Sequence, residues 1–287
     1  VFLRQCGLRT VASWGSEPFA VPPQYTFLRG LRTLVPPREF PEAPELMISF
    51  DAGGYDRLGL LADAARNAET LIVVDHHSSN ERFGDVNLVA PGAAATVVLV
   101  DELIRRLGGR PDREIAASLY TGLVTDTGRF QYRNTDRAAM ELGSRLIGEG
   151  IEHAEMSRQM FETHSFGYLK LLSRVLDRAA FDPEASLVHS WLEQSDLDRY
   201  GVAIEETEGV IDVLRTTETA EVTMLLKELP EGAWRTSLRS KGRVDVGALA
   251  TELGGGGHDF SAGFTAHGSR EEAVDAVVSL LVEEQAS

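Results

Sequence analysis

One cysteine, Cys6, stands in 287 residues, so no intrachain disulfide is possible and a reducing compartment is expected. No apolar run reaches the length of a membrane span, and no secretory pattern opens the chain. A cytoplasmic setting with no membrane contact follows as the expectation. Positive charge is scarce. Lys and Arg total 28 against 44 Asp and Glu, a net charge of −16, which argues against a broad electrostatic footprint for long duplex nucleic acid. It leaves room for a short anionic substrate held by a metal and a few local basic residues. Repeats and low-complexity tracts are also missing. The remaining composition, 43% hydrophobic and 25% charged, is that of an ordinary globular protein large enough for one big domain or two smaller ones.

The strongest signal is Leu71-Ile-Val-Val-Asp75-His76-His77-Ser-Ser-Asn80. Four apolar residues, three of them β-branched, predict a buried strand of a parallel sheet, and the polar run begins where the strand ends. Ligands in open α/β sheets sit at the carboxyl ends of strands. A carboxylate and two imidazoles there suit a first-row divalent metal.

Two further carboxylates share that setting. Asp51 follows the apolar strand Leu46–Phe50 and precedes Gly53-Gly54. Asp126 lies in the polar turn Thr125-Asp-Thr-Gly-Arg-Phe130. Each alone is an ordinary helix cap. Side by side, Asp51, Asp75, His76, His77 and Asp126 make a carboxylate-rich pocket that favours Mn²⁺ or Mg²⁺ over structural zinc, which calls for thiolates. Two ions there would serve a phosphoryl displacement.

Strands alternating with helices from Leu46 predict an α/β fold with a parallel sheet. The spacing predicts a strand over 8–14, a helix over 55–67, a helix from 92 to about 107 and one capped by Asp112. A further helix is capped by Asn134 or Thr135, and two more run to about Ala180. Beyond 181–185 the pattern shifts to a smaller α+β domain, with strands 186–192, 221–229, 233–239 and 260–266 and helices 209–217, 246–253 and 270–283. The expected boundaries are 1–165 for the first domain, 166–185 for a helical linker and 186–287 for the second. In that second domain, Gly254-Gly-Gly-Gly257 before His258 suggests a nest of backbone N–H groups for an anion. Arg239-Ser240-Lys241 adds two cations and a hydroxyl suited to phosphate. His153, His164, His189 and His267 are expected to carry no role.

Taken together, Asp75-His76-His77, the Thr-Asp126-Thr-Gly-Arg-Phe130 turn and the Gly-Gly-Gly-Gly257-His258-Asp-Phe-Ser-Ala-Gly263 stretch resemble the DHH/DHHA1 phosphoesterases, in the branch of the bacterial oligoribonucleases and pAp phosphatases. The resemblance implies an N-terminal parallel-sheet DHH domain with a dinuclear centre, usually Mn²⁺, and a DHHA1 domain that binds the nucleotide. It implies that Asp51 bridges two metals, that His76 and Asp126 are ligands, and that His77 sits beside the phosphate while Asp75 orients a histidine. Arg239, Ser240, Lys241, Gly256, Gly257 and His258 would hold the substrate. Expected substrates are short RNAs, linear and cyclic dinucleotides such as pApA and cyclic di-AMP, and 3′-phosphoadenosine 5′-phosphate (pAp); a homodimer is expected. The family's first motif, His-x-x-Pro-Asp-x-Asp, does not occur in this sequence. It is expected before Val1 together with at least one strand, and the polypeptide Val1–Ser287 is accordingly expected to bind metal poorly or in part. A RecJ-like single-strand exonuclease, a DHH pyrophosphatase, or a nucleotide-sensing module with a decayed metal site are the alternatives.

Overall fold

The computed structural model describes residues 1–285. It contains two compact units, Val1–Glu162 and Thr163–Ser287.

In the first unit α1 (Phe2–Gln5) is followed by a long irregular segment. The strand expected over 8–14 is reduced there to a single bridge, Ala12 to Leu34. Next come β1 (Leu46–Phe50), α2 (Ala62–Arg66), β2 (Thr70–Asp75), β3 (Val86–Val89), α3 (Thr96–Arg106), α4 (Arg113–Asp126), α5 (Arg137–Gly148) and α6 (His153–Phe161). The strands form a parallel sheet in the order β1-β2-β3, with Phe50 opposite Val74 and Asp75 opposite Val89. β2 is central and carries the most continuous apolar run, as a doubly flanked strand should. The short β3 had no sequence signal, because Val86-Asn-Leu-Val89 is only four residues long and half exposed.

The helix expected over 55–67 is broken. A 3₁₀ stretch over Tyr55–Leu61 is interrupted at Gly59 (φ 51°, ψ −126°), and only α2 is α-helical. A Cβ on Gly59 would lie 2.4 Å from the Gly15 carbonyl oxygen, so close backbone approach dictates both the glycine and the kink. Asp112 caps α4 as expected, accepting from the amides of Glu114 and Ile115. The cap of α5 is Asp136, which accepts from Ala139, and not Asn134 or Thr135. Helices α3 to α6 bury Ile104, Leu119, Leu123, Leu142, Leu146 and Met156 in one cluster, while Met47, Leu61, Leu71 and Val73 fill another against the sheet.

The second unit runs α7 (Phe166–Asp177), β4 (Ala180–Asp182), β5 (Leu187–Leu192), α8 (Gln194–Tyr200), α9 (Val210–Leu214), β6 (Val222–Glu228), β7 (Trp234–Ser240), α10 (Val246–Glu252), β8 (Gly256–His258), β9 (Ser261–Ala266) and α11 (Arg270–Gln285). Its six strands are ordered β4-β5-β6-β7-β9-β8; β5 and β6 are parallel and every other pair is antiparallel. One sheet face packs on α10 and α11 through Met224, Leu226, Leu238, Phe264, Leu249 and Val277. The other packs on α7, α8 and α9 through Leu192, Leu225, Leu171, Val175 and Ile211. The stretch 166–185 therefore does not act as a linker. Tyr168, Leu171 and Val175, spaced for one helical face, are buried in the second unit's core.

Candidate metal centre and substrate residues

Parallel register brings the first two motifs together. The Asp51 amide donates to the Val74 carbonyl at 3.0 Å, so Asp51 and Asp75 leave neighbouring strands side by side. Asp51 takes the left-handed conformation at φ 59°, a geometry that aspartate tolerates better than most residues and that surrounding contacts must hold. Here the contact is the Thr96 hydroxyl at the start of α3, which donates to Asp51 Oδ1 at 2.6 Å. Asp126 comes from a different kind of element. It is the last residue of helix α4 and not part of a strand-end loop, and the turn after it is tight, with Gly128, Arg129 and Phe130 all at positive φ. Thr127, fully buried, ties that turn down by donating to the Leu123 carbonyl at 2.6 Å.

The side chains converge. His76 Nε2 lies 3.6 Å from Asp51 Oδ1 and 3.7 Å from Asp126 Oδ2. One donor atom from each of these three residues lies within 4.8 Å of the others. His76 Nδ1 is 2.9 Å from the Ala93 carbonyl, which can only accept, so Nδ1 donates there and Nε2 faces the two carboxylates. Burial first, and then the like charge of Asp51, push the Asp126 carboxyl up to about 7. Two partly exposed carboxylates and the buried imidazole of His76, facing one another, form a donor set that a divalent cation would satisfy, and the residues present fit such an ion.

Asp75 is used differently. It is fully buried, and its oxygens accept from the amides of His76 (2.7 Å) and His77 (3.2 Å), from His77 Nδ1 (2.7 Å) and from Asn80 Nδ2 (2.7 Å). Burial raises its pKa, but the bonds from His77 and Asn80 outweigh that and bring the carboxyl down to about 2. The same bond to Asp75 raises the pKa of His77, whose ring it fixes. Asn80 also donates to the Ala52 carbonyl and so staples the β2 loop to the β1 loop. Asn134 likewise joins Ala94 to the end of α4 by donating to the carbonyls of Ala94 and Asp126. Sequence reasoning missed Thr96, Asn134 and the Ala93 carbonyl. Asn80 had stood in the quoted run without a role, and its fixed distance from Asp75 was the available signal.

In the second unit the candidate residues separate. Arg239 on β7 lies opposite Ser261 on β9, which lies opposite His258 on β8, so Arg239 and His258 share one row and one face of the sheet. Ser240 points to the other face at 1% exposure; its hydroxyl accepts from Gly242 and donates to Glu221. Lys241 Nζ is taken by the carbonyls of Thr217 and Glu218. The glycine run is not a nest. The amides of Gly254 and Gly255 close the end of α10 on Thr251 and Ala250, and Gly256–His258 pairs as strand β8. A Cβ on Gly257 would come 2.4 Å from the Ala262 Cα, so that glycine serves close strand packing.

Residues 186–286 match the DHHA1 domain family. That stretch of the second unit is similar to DHHA1 domains. The likeness extends into the first unit. A Thermus thermophilus protein named bifunctional oligoribonuclease and PAP phosphatase NrnA is 35% identical over 216 residues, 75% of this chain and 64% of the relative. A Geobacillus thermodenitrificans protein named cyclic-di-AMP phosphodiesterase GdpP is 28% identical over 196 residues, 67% of this chain and 29% of that one. The crystal structure of an exopolyphosphatase-related protein from Bacteroides fragilis shares the fold of this chain, with a TM-score of 0.86 at 24% identity over 99% of this chain and 85% of the other. The chain thus spans slightly under two thirds of the length of the Thermus relative. Among the described residues no helix is long and apolar enough to cross a membrane.

Proposed function

We propose that this protein is a metal-dependent phosphoesterase that hydrolyses short oligoribonucleotides and linear or cyclic dinucleotides to mononucleotides, and removes the 3′-phosphate of pAp. The convergence of Asp51, His76 and Asp126 carries this reading. The activities for which the Thermus and Geobacillus relatives are named support the substrate class. Two divalent ions, Mn²⁺ or alternatively Mg²⁺, a cytoplasmic setting and a homodimer belong to the same proposal.

In this mechanism Asp51, His76 and Asp126 would hold the metal, with Asp51 placed where it could serve more than one ion. When bound, divalent ions supply Lewis acidity and a water acidic enough to be a nucleophile near neutral pH. The chain's own residues do the rest. The Thr96 hydroxyl keeps the Asp51 carboxylate aimed, and the Ala93 carbonyl keeps the His76 proton on Nδ1. Asp75 holds His77 by Nδ1 and so fixes the ring beside the place proposed for the substrate's phosphate. Arg239 and His258, with the Gly256-Gly257 backbone, take the phosphate and sugar. Ser240 and Lys241 shape the strand end that presents Arg239.

The test is a Mn²⁺-dependent hydrolysis assay comparing pApA, cyclic di-AMP, pAp and a long single-stranded RNA, with His76→Ala as control. Turnover of the small substrates that is lost in His76→Ala is expected. Equal activity in both proteins would overturn the site assignment, and preference for the long RNA would overturn the substrate class.

A further inference from the structure

Arg239 is held in an unusual way for an exposed sheet face. Its side chain is 19% exposed, Nη1 donates to the Leu238 carbonyl at 3.0 Å, and Nε is closed to solvent without a hydrogen-bond acceptor. The acid beside Nε is Asp212 of α9, with Oδ1 at 4.0 Å, too far for a hydrogen bond but within Coulomb range. Nη2 makes no hydrogen bond among the described residues and is not closed off, so a ligand meets this arginine through Nη2.

Asp212 does not act alone. Glu208, four residues earlier, receives a bond of 2.8 Å from Lys227 Nζ, and Lys227 is 1% exposed on β6 opposite Arg235. Burial pushes the Glu208 carboxyl up, and Lys227, followed by Arg235 and Arg239, more than reverses it. Three cations on one sheet face are thus matched by two acids at the α9 end, which leaves a local excess of positive charge on a strongly acidic chain.

Resting on the reading of Arg239 as a substrate-phosphate residue, we propose that Asp212 is a positioning residue for Arg239. Its carboxylate attracts the Nε side of the guanidinium and turns the Nη2 edge toward an anionic phosphate. Arginine binds phosphate through a planar fork, so fixing the plane matters more than adding charge. An ordering contact of this kind is expected to act on substrate binding and to leave the chemical step alone.

Steady-state kinetics with pApA test it, using Asp212→Asn, Asp212→Glu and Arg239→Ala, with thermal unfolding of each variant alongside. Asp212→Asn is expected to raise KM about threefold to fivefold at unchanged kcat, the scale of one partly exposed ion pair, and added salt is expected to shrink the difference. Asp212→Glu is expected to recover most of the loss. Unchanged or lowered KM in Asp212→Asn, while Arg239→Ala raises KM, would overturn the positioning role and leave Arg239 in place. Unchanged KM in Arg239→Ala would overturn the reading of Arg239 itself. A fall in kcat that tracks a lower melting temperature, without a KM change, would mark Asp212 as structural only and overturn the proposal.

Discussion

His76 Nδ1 donates a hydrogen bond to the Ala93 carbonyl, whereas His77 Nδ1 bonds the Asp75 carboxylate, so two adjacent imidazoles take different roles from their partners. The motif residues were legible in the sequence as residue types at a strand end; the partners that divide their labour were not. Thr96 and Ala93 lie in a Pro-Gly-Ala-Ala-Ala-Thr stretch with no chemical signal, and they matter only because the fold brings that stretch against Asp51 and His76. Thr96→Val should therefore lower affinity for Mn²⁺ about tenfold, the lower end of what loss of a ligand's supporting bond costs, with little change in melting temperature. Calorimetric titration of Mn²⁺ checks this, and unchanged affinity would contradict it. A second residue-scale prediction concerns acid. Burial raises the Glu221 pKa, but bonds from the Arg243 amide and guanidinium and from Ser240 bring it below the usual 4.5. A lowered folded pKa adds stability that is present above 4.5 and lost as pH falls through the folded value. Glu221→Gln should thus flatten the fall in melting temperature between about pH 2 and pH 5 relative to wild type, as scanning calorimetry would show.

Among the elements, β1, β2, α4 and the strands β5, β6, β7 and β9 of the second unit were legible from their apolar patterning. Short or irregular pieces were not. β3 and β4 are four and three residues long, and α8 begins on the polar run Gln194-Ser-Asp196, whose capping role appears only once Asp196 bonds back to Glu193. The glycine run shows how one composition supports two readings. Four glycines permit a nest, but here the strand pairing of β8 uses them for close approach to β9. Gly257→Ala is expected to destabilise the protein by about 1–3 kcal/mol through overpacking and a disfavoured φ of 149°. Helix α7 reads as a linker by position and as core by periodicity, and periodicity is what the packing follows. Leu171→Ala, at a fully buried site of that helix, should cost about 2–5 kcal/mol in chemical denaturation. A cost below about 1 kcal/mol would contradict its place in the second unit's core.

For the whole molecule, charge and fold point the same way. A net charge of −16 disfavours long polyanions, and the cations that do cluster, Lys227, Arg235 and Arg239, occupy one sheet face of the second unit. The first unit supplies the converse, a concentration of carboxylate and imidazole at the carboxyl ends of β1 and β2 and the end of α4. Carboxylates gathered around a buried imidazole nitrogen make a candidate cation site, and the proposed chemistry depends on it. Direct binding of Mn²⁺, followed by electron paramagnetic resonance in wild type, His76→Ala and Asp126→Asn, tests that dependence. Saturable binding in wild type, weakened at least tenfold in both variants that still fold, is the predicted result. Binding of equal strength in all three proteins would contradict the metal centre on which the proposed function rests.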